Sequence, residues 1–328
     1  MKRAAYIGGI LGVALLAILL IRTDCAAMIQ TLRSGGWMLL WLIPYRALYY
    51  LLYALCWLVL LRPYDPGHRA GLGYLFWATS VRDAIDRLLP VASVGGGVIG
   101  IRLLSWRGLA IGAASASVIV EIALTVLVLC AFVGLGLILL TEVNATGEEY
   151  HRLLLAFLLV LPVPVLLMLL LRYGAVFGRL EKLLRKFADG AWLPETAASV
   201  DRELRAYFTR PCTLTVAGVL QFVALVSGAF EVWFVLRVFG HPVSIGAALV
   251  LESLSQAVRH LAFVVPAGVG VQEAGFVLFG QALGINSEMA LAVSMAKRIR
   301  EVLCGLPALL SWQWFEGRRL RGLMTNAS

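Results

Sequence analysis

The sequence predicts an all-α integral membrane protein with about six full transmembrane helices and two re-entrant helical hairpins in an inverted-topology repeat. Of the 328 residues, 61% are hydrophobic, and this much apolar surface cannot be packed inside a water-soluble domain. Long apolar runs recur along the chain, and two separate segments combine Pro and Gly within apolar sequence. Broken backbone at membrane depth is tolerated only where it is buried in protein or lines a wet cavity. The paired breaks therefore predict a binding site between two halves.

Six apolar runs account for the predicted spans, because a helix needs about 20 residues to cross a bilayer. They lie at about 6 to 21, 37 to 61, 109 to 140, 153 to 171, 212 to 238 and 288 to 313. The first run resembles a signal peptide until its end, where Arg22 and Asp24 interrupt a small-residue cleavage site. We therefore expect a retained signal-anchor helix.

Basic residues set the predicted orientation through the positive-inside rule. The segment from Arg172 to Arg210 is rich in Lys and Arg, whereas the segment from Thr141 to His151 is acidic. The first is expected in the cytoplasm and the second on the opposite side, which places both termini in the cytoplasm. The net charge of +9 is explained in this way, and no nucleic-acid partner is expected because no nucleic-acid-binding motif accompanies it.

Given that orientation, each Pro-Gly region must enter and leave the membrane on one side. The regions at about 73 to 104 and 247 to 284 are predicted re-entrant helix pairs that enter from opposite faces. The first half-repeat then covers about 37 to 140 and the second about 212 to 313. Sequence similarity between the halves is slight, which leaves a chance arrangement open. One polytopic domain is expected over residues 1–328.

The connector of about 172 to 211 is too short to bury an independent core. Between Phe177 and Phe187, apolar residues recur on one helical face and basic residues on the other. This pattern is typical of a helix in the headgroup plane, with anionic phospholipid of the cytoplasmic leaflet as its partner. A solvated linker with an amphipathic stretch is the alternative.

Charged residues precede the first break at Pro90. Arg82, Asp83, Asp86 and Arg87 lie in a segment that should enter the membrane, where charge is costly unless it is paired or hydrated. Helical spacing allows Asp83 to pair with Arg87 and Arg82 with Asp86. These residues are therefore candidates for headgroup binding, or they form a helix that neutralises itself.

A glycine run follows the first break. At Gly95 and Gly96 the backbone N–H groups can approach an anion, but the Lys-Ser/Thr of a nucleotide-binding loop is missing. Arg102, just beyond, is a candidate partner for a phosphate.

The second break, at Pro266, is also flanked by polar residues. Gly268 and Gly270 permit an unwound turn, and Glu273 directly follows it. A carboxylate beside a broken helix is a candidate proton or cation site, or a structural partner of an Arg. The other candidate binding residues here are Gln256, Arg259, Gln272 and Arg298.

The sequence contains no motif for metal binding, cofactor binding or catalysis. The histidines show neither HxxxH nor HExxH spacing, so no metal site is expected, and no motif points to a cofactor or to catalytic residues. The five cysteines are scattered in apolar sequence and are interpreted as core residues. Arg46, Glu121 and Glu231 interrupt apolar helices and should face the interior of the bundle.

The stretch from Ser255 to Gly275, followed by Lys297-Arg298-Ile299-Arg300-Glu301 and Gly305-Leu306-Pro307, resembles the hopanoid-biosynthesis-associated HpnL-like membrane proteins. These belong to the wider family of the lysylphosphatidylglycerol synthase transmembrane, flippase-like domain. The resemblance implies lipid handling in the bacterial inner membrane, with translocation between leaflets as the favoured activity. The aminoacyl-transferase domain of some relatives has no counterpart here, so aminoacylation by this chain alone is not expected.

The expected function is therefore that of a lipid transporter or flippase-like protein linked to hopanoid or related lipids, and not of an enzyme. A non-catalytic membrane partner that organises lipid-biosynthesis enzymes is the alternative, followed by a lipid-modifying transferase. A transporter should show a polar cavity, which we expect to be lined by Arg82, Arg87, Arg102, Arg259 and Glu273.

Overall fold

The computed structural model describes residues 25–89, 95–143, 148–174, 193–262, 265 and 268–325. In this part of the chain the protein is all-α, with twelve α-helices, one short 3-10 helix and no β-strand. The predicted fold class is confirmed at this level.

The described helices occur in the following order along the chain. They are α1 (Cys25–Gly35), the 3-10 helix (Gly36–Trp41), α2 (Leu42–Leu61), α3 (Leu72–Leu88), α4 (Gly95–Trp106), α5 (Ile111–Val143), α6 (Glu148–Val160), α7 (Pro162–Tyr173), α8 (Leu193–Phe208), α9 (Pro211–Val238), α10 (Ile245–Leu261), α11 (Val271–Ala282) and α12 (Ser287–Thr325).

Local sequence signals mark several helix starts. Pro162 and Pro211 open α7 and α9, where a missing N–H costs no intrahelical hydrogen bond. At the start of α10 the Ser244 hydroxyl accepts a hydrogen bond from the Ala247 amide at 3.1 Å. Gly268 and Gly270 have φ angles of +62° and +78° just before α11, so the predicted unwound turn uses the conformational freedom of glycine.

Four helical stretches in the described residues are long and apolar enough to cross a membrane. They cover Ala26–Leu61, Ile111–Thr141, Leu154–Tyr173 and Pro211–Val238, and they agree with four of the predicted runs. The run at 6 to 21 lies outside the described residues. The run at 288 to 313 lies within α12, whose charged residues near 300 interrupt the apolar sequence. The count of six spans thus stays a prediction.

Each Pro-Gly region consists of two helices packed against each other. α3 packs on α4 in the first region, and α10 packs on α11 in the second. Pro90 and Pro266 lie outside the described residues. The long helix α12 packs on both α3 and α11, so it joins the two helix pairs at the centre of the protein.

The described end of the connector belongs to the packed domain. α8 packs on α5 and α7, and its Tyr207 hydroxyl donates a hydrogen bond to the Leu60 carbonyl at 3.0 Å. Tyr207 and Leu204 are buried. The predicted amphipathic stretch at 177 to 187 lies outside the described residues.

Candidate functional site

A cavity of about 270 Å³ opens between the two helix pairs and the spanning helices α2, α5 and α9. We call it the central cavity. Its polar wall residues are Tyr49, Tyr53, Thr79, Arg82, Asp83, Asp86, Arg87, Glu121, Thr125, Gln256, Arg259 and His260. Ile122, Val126, Leu129 and Leu225 complete the wall. A polar cavity inside an apolar helical protein is the expected setting for a binding site.

One face of α3 supplies much of this wall. Thr79, Arg82, Asp83, Asp86 and Arg87 follow the helical spacing i, i+3, i+4, i+7 and i+8, so they share one side of the helix. Because α3 directs this side into the protein, the four charges before the first break are brought together inside the bundle.

Asp83 is held by two arginines. It accepts hydrogen bonds from Arg87 at 2.6 Å and from Arg46 at 2.8 Å, and from the Tyr50 hydroxyl at 3.0 Å. The predicted pair of Asp83 and Arg87 is confirmed. Two cations and a hydroxyl compensate the desolvation of this carboxylate, which points to a structural role at this position.

Arg82 pairs differently from the prediction. Its guanidinium donates to Glu121 at 2.7 Å and lies over the Trp57 ring at 4.3 Å from the centroid. The partner predicted from spacing, Asp86, instead accepts a hydrogen bond from the backbone amide of Gly96 at 2.8 Å. Glu121 on α5 is the better-placed partner for Arg82 because tertiary packing brings it closer.

The glycine run binds an anion that belongs to the protein itself. Gly96 presents its amide to Asp86, and a Cβ on Gly96 would lie only 2.3 Å from the Asp86 carboxylate. Gly95 and Gly96 begin α4, and neither lines the central cavity. The Gly96 amide instead fixes Asp86, which does face the cavity, and substrate contact at Gly95 and Gly96 stays a prediction.

Glu301 on α12 is the point where both helix pairs meet. Its side chain is 1% exposed and is contacted by four arginines. These are Arg87 from α3, Arg259 from α10 at 3.7 Å, Arg298 at 3.3 Å and Arg300 at 3.9 Å. One carboxylate is thus shared by cations from both sides of the protein.

Glu273 lies behind the cavity wall. It is fully buried and accepts a hydrogen bond from Arg298 at 2.9 Å, while a second nitrogen of Arg298 donates to the Gly268 carbonyl at 3.0 Å. Gln272 donates to Ser294 at 3.4 Å. These contacts tie the second break to α12, and Gln272, Glu273 and Arg298 do not line the central cavity. The expectation that Glu273 lines the same cavity as Arg82, Arg87 and Arg259 is therefore wrong, because its carboxylate is fully buried against Arg298.

Arg102 lies apart from the site. Its side chain is 53% exposed and pairs with Glu316 near the end of α12. The expectation that Arg102 lines the same cavity as Arg82, Arg87 and Arg259 is therefore wrong, because α4 directs this side chain outward. Of the predicted binding residues, the cavity wall contains Arg82, Arg87, Gln256 and Arg259.

The three charged residues that interrupt apolar helices all face the interior. Arg46, Glu121 and Glu231 are 5%, 5% and 4% exposed, as predicted. Glu231 pairs with Arg300 at 3.2 Å. A further buried pair joins Lys297 to Glu252 at 2.5 Å.

A family model for the lysylphosphatidylglycerol synthase TM region matches residues 7–307, which include every wall residue of the central cavity. The chain belongs to this family. Membership together with the apolar helices identifies a multi-pass membrane protein related to lipid handling. No curated protein and no solved structure matches the chain. The narrower resemblance to HpnL-like proteins stays a prediction.

Sequence analysis did not select several wall residues. Tyr49 and Tyr53 follow Arg46 at helical spacing on α2, and this stripe of polar groups on an apolar helix is the signal that identifies them. His260, the third such residue, directly follows the predicted binding residue Arg259 in the chain. Within the described residues no group of three or more His, Cys, Asp or Glu side chains is arranged to hold a metal ion.

Proposed function

We propose that this protein moves a lipid with an anionic headgroup between the leaflets of the membrane, with the central cavity as the passage for the headgroup. The observation that carries the proposal is the position of Arg259. This residue faces the cavity, and within the described part of the chain its one ion-pair contact is Glu301 at 3.7 Å. Glu301 is also shared with three other arginines, so Arg259 is the least compensated cation in the wall.

A phosphate oxygen is a suitable partner for this guanidinium. Charge-assisted hydrogen bonds between Arg and phosphate are strong, and an arginine at membrane depth is costly without a partner. Asp86 faces the same cavity and accepts its hydrogen bond from the Gly96 amide, which leaves it able to accept hydroxyl or amine donors of a headgroup. The two groups together favour a headgroup that contains both an anion and hydrogen-bond donors.

The proposal includes the membrane arrangement. Six spans and two re-entrant helix pairs in an inverted repeat would put α3 and α10, the helices that precede the two breaks, beside the headgroup while the lipid tails remain in the bilayer. The packing of α3 on α4 and of α10 on α11 supports this arrangement. We assign the protein to the bacterial inner membrane with both termini in the cytoplasm, and the link to hopanoid or related lipids rests on the resemblance alone.

Anionic phospholipid is the proposed neighbour at the cytoplasmic face. Arg202, Arg205 and Arg210 are exposed on or beside α8, and basic residues there would attract an anionic leaflet. Transport needs no catalytic residue or cofactor in this scheme, so no enzyme activity is proposed.

Replacement of Arg259 tests the function. We expect Arg259→Gln to slow translocation of a fluorescent phosphatidylglycerol in proteoliposomes about 10-fold to 100-fold, because it removes a charge-assisted hydrogen bond to the headgroup. Arg102→Gln is the matched control, since Arg102 is exposed and outside the cavity. Its rate should equal that of the unmodified protein.

Folding must be monitored beside transport. Both variants should reach the membrane in equal amounts and unfold at similar temperatures in detergent. Unmodified transport by a folded Arg259→Gln variant would contradict the proposed site. If the unmodified protein itself moves no lipid, the alternative of a non-catalytic partner for lipid-biosynthesis enzymes is favoured.

A further inference from the structure

A second, apolar cavity lies on the outer surface of the protein between α2 and α9. Its volume is about 540 Å³, and we call it the outer groove. Trp41, Leu48, Phe230 and Phe234 form much of its wall, and Tyr45 and Glu231 lie where it approaches the interior. Trp41, Leu48 and Phe230 are 59%, 45% and 42% exposed, so the groove is open to the surroundings.

We expect this groove to face the hydrocarbon core of the membrane. Both α2 and α9 belong to stretches that are long and apolar enough to span a bilayer, and much of each stretch is not buried within the protein. In a bilayer the solvent at such a surface is the acyl chain. A concave apolar surface here suits a flexible hydrocarbon chain.

The outer groove continues toward the central cavity. Tyr45 and Glu231 also line a small inner cleft of about 20 Å³. This cleft in turn shares Tyr49, Arg87 and Gln256 with the central cavity. The outer groove, the inner cleft and the central cavity are therefore connected in that order. A lipid would need this order, with its tail in the apolar groove and its headgroup in the polar cavity.

Tyr45 closes the narrow part of this series. Its hydroxyl donates a hydrogen bond to the Ser227 carbonyl at 2.5 Å and so joins α2 to α9. The cleft beside it has room for about one water molecule, which is too small for a headgroup. Separation of α2 from α9 at this bond would widen the connection.

We infer that the outer groove is a binding site for an acyl chain of the lipid whose headgroup occupies the central cavity, and that the Tyr45 hydrogen bond keeps the connection closed between transport events. The inference rests on the proposed function for the headgroup part. It adds the side of the protein from which the lipid enters, between α2 and α9, and the residue that controls the opening.

Filling the groove tests the acyl-chain site. Leu48→Trp adds bulk inside the groove, and Leu310→Trp is the matched control, because Leu310 is also an exposed leucine but lies on α12 outside the groove. Each purified variant is examined by native mass spectrometry for co-purified phospholipid. We expect the unmodified protein and Leu310→Trp to retain a lipid and Leu48→Trp to lose it. Equal lipid retention by all three overturns the inference, as does absence of retained lipid from the unmodified protein.

Measurements of transport distinguish a failure of this inference from a failure of the proposed function. We expect Leu48→Trp to slow phosphatidylglycerol translocation at least about tenfold while binding of soluble glycerol phosphate stays unchanged. Arg259→Gln should weaken that binding. If Arg259→Gln stops transport and Leu48→Trp does not, the groove assignment fails and the headgroup site stands. Loss of retained lipid in Leu48→Trp without any transport by the unmodified protein would support the groove and contradict the proposed function.

Two further experiments test the role of the Tyr45 hydrogen bond and the possibility that another part of the chain occupies the outer groove. Tyr45→Phe keeps the ring and removes the hydroxyl, and we expect it to speed translocation by about twofold to tenfold while lipid retention persists. An unchanged rate removes Tyr45 from the inference. Disulfide formation in the membrane between Leu48→Cys and any one of Ile10→Cys, Ala14→Cys or Ile18→Cys would show that the apolar run at 6 to 21 fills the groove, which overturns the acyl-chain assignment.

Discussion

Single residues show how this protein accommodates charge inside an apolar bundle. Isolated buried charge is very costly, so each carboxylate at the centre is paired or hydrogen-bonded. Asp83 has two arginines, Glu121 has one, and Glu301 has four. Among the arginines of the cavity wall, Arg259 is the least completely paired. In the described residues its one ion-pair contact is with Glu301, at 3.7 Å. In the proposed function, incomplete pairing is what distinguishes Arg259 from the charges with a structural role.

Glu301 is expected to be essential for folding. Glu301→Gln would leave four arginines without their shared charge, and breaking a buried pair typically costs about 3–5 kcal/mol. Glu316→Gln is the control, because its partner Arg102 is exposed, and exposed pairs contribute about 0–1 kcal/mol. Thermal unfolding in detergent should show a large loss for the first variant and little change for the second. Similar unfolding temperatures for both would contradict the shared role of Glu301.

Gly96 is expected to tolerate no side chain. In Gly96→Ala the new Cβ would lie 2.3 Å from an Asp86 oxygen and 2.6 Å from the Arg82 carbonyl, so α3 and α4 must separate. Overpacking of this kind typically costs about 1–3 kcal/mol. Gly73→Ala on α3 is the control, since nothing lies within 4 Å of its Cβ position and alanine favours the helix. Equal stability of the two variants in a thermal melt would exclude the close contact.

At the scale of helices, the two broken regions are built alike. Each contains two helices that pack on each other, and each is anchored to α12 by an arginine contact, Arg87 to Glu301 in the first and Arg298 to the Gly268 carbonyl in the second. The charged residues in the middle of α12 are the ones that contact both helix pairs. This explains why the predicted last span is less apolar than the others.

Cysteine labelling tests whether these pairs are re-entrant. In a chain without its native cysteines, we expect Gly67→Cys and Arg107→Cys to react from the cytoplasmic side, because a re-entrant pair would return α4 to the face from which α3 entered. Pro242→Cys and Ala282→Cys should react from the opposite side. All four positions are exposed in the structure. If the two positions that flank one region react from different sides, that region crosses the membrane and the inverted repeat is wrong.

At the scale of the whole molecule, orientation follows from charge distribution. Between Arg172 and Arg210 eight Lys and Arg residues outnumber five Asp and Glu residues, whereas residues 141–151 contain three Glu residues and no Lys or Arg. The orientation decides which leaflet the central cavity faces when it binds the headgroup, so it affects the direction in which lipid moves.

Labelling from outside intact cells checks the orientation. A membrane-impermeant thiol reagent should modify Ala145→Cys and should reach Arg202→Cys only after the membrane is permeabilised, because the positive-inside rule predicts a cytoplasmic location for the segment from Arg172 to Arg210. The Arg202 side chain is 76% exposed, so burial does not limit its reaction. Modification of both positions from outside would exclude the predicted topology.

The sequence by itself determined the class of the protein, four of its spans, the two helix pairs and the interior position of Arg46, Glu121 and Glu231. These properties follow from hydrophobicity, helical periodicity and the cost of charge in lipid, all of which act locally along the chain. Sequence also predicted the pair of Asp83 and Arg87, because its residues are one helical turn apart.

Only the tertiary structure decided which long-range partners meet. Arg82 binds Glu121 and not Asp86, Glu273 lies behind the cavity with Arg298, and Arg102 points outward to Glu316. Sequence offered an Arg as a partner of Glu273 but could not select Arg298, and it did not predict the partners of Arg82 and Arg102, since several oppositely charged residues were available and spacing says nothing about how distant helices pack. The selection depends on which helices α3 and α12 contact, and packing of the whole bundle fixes those contacts.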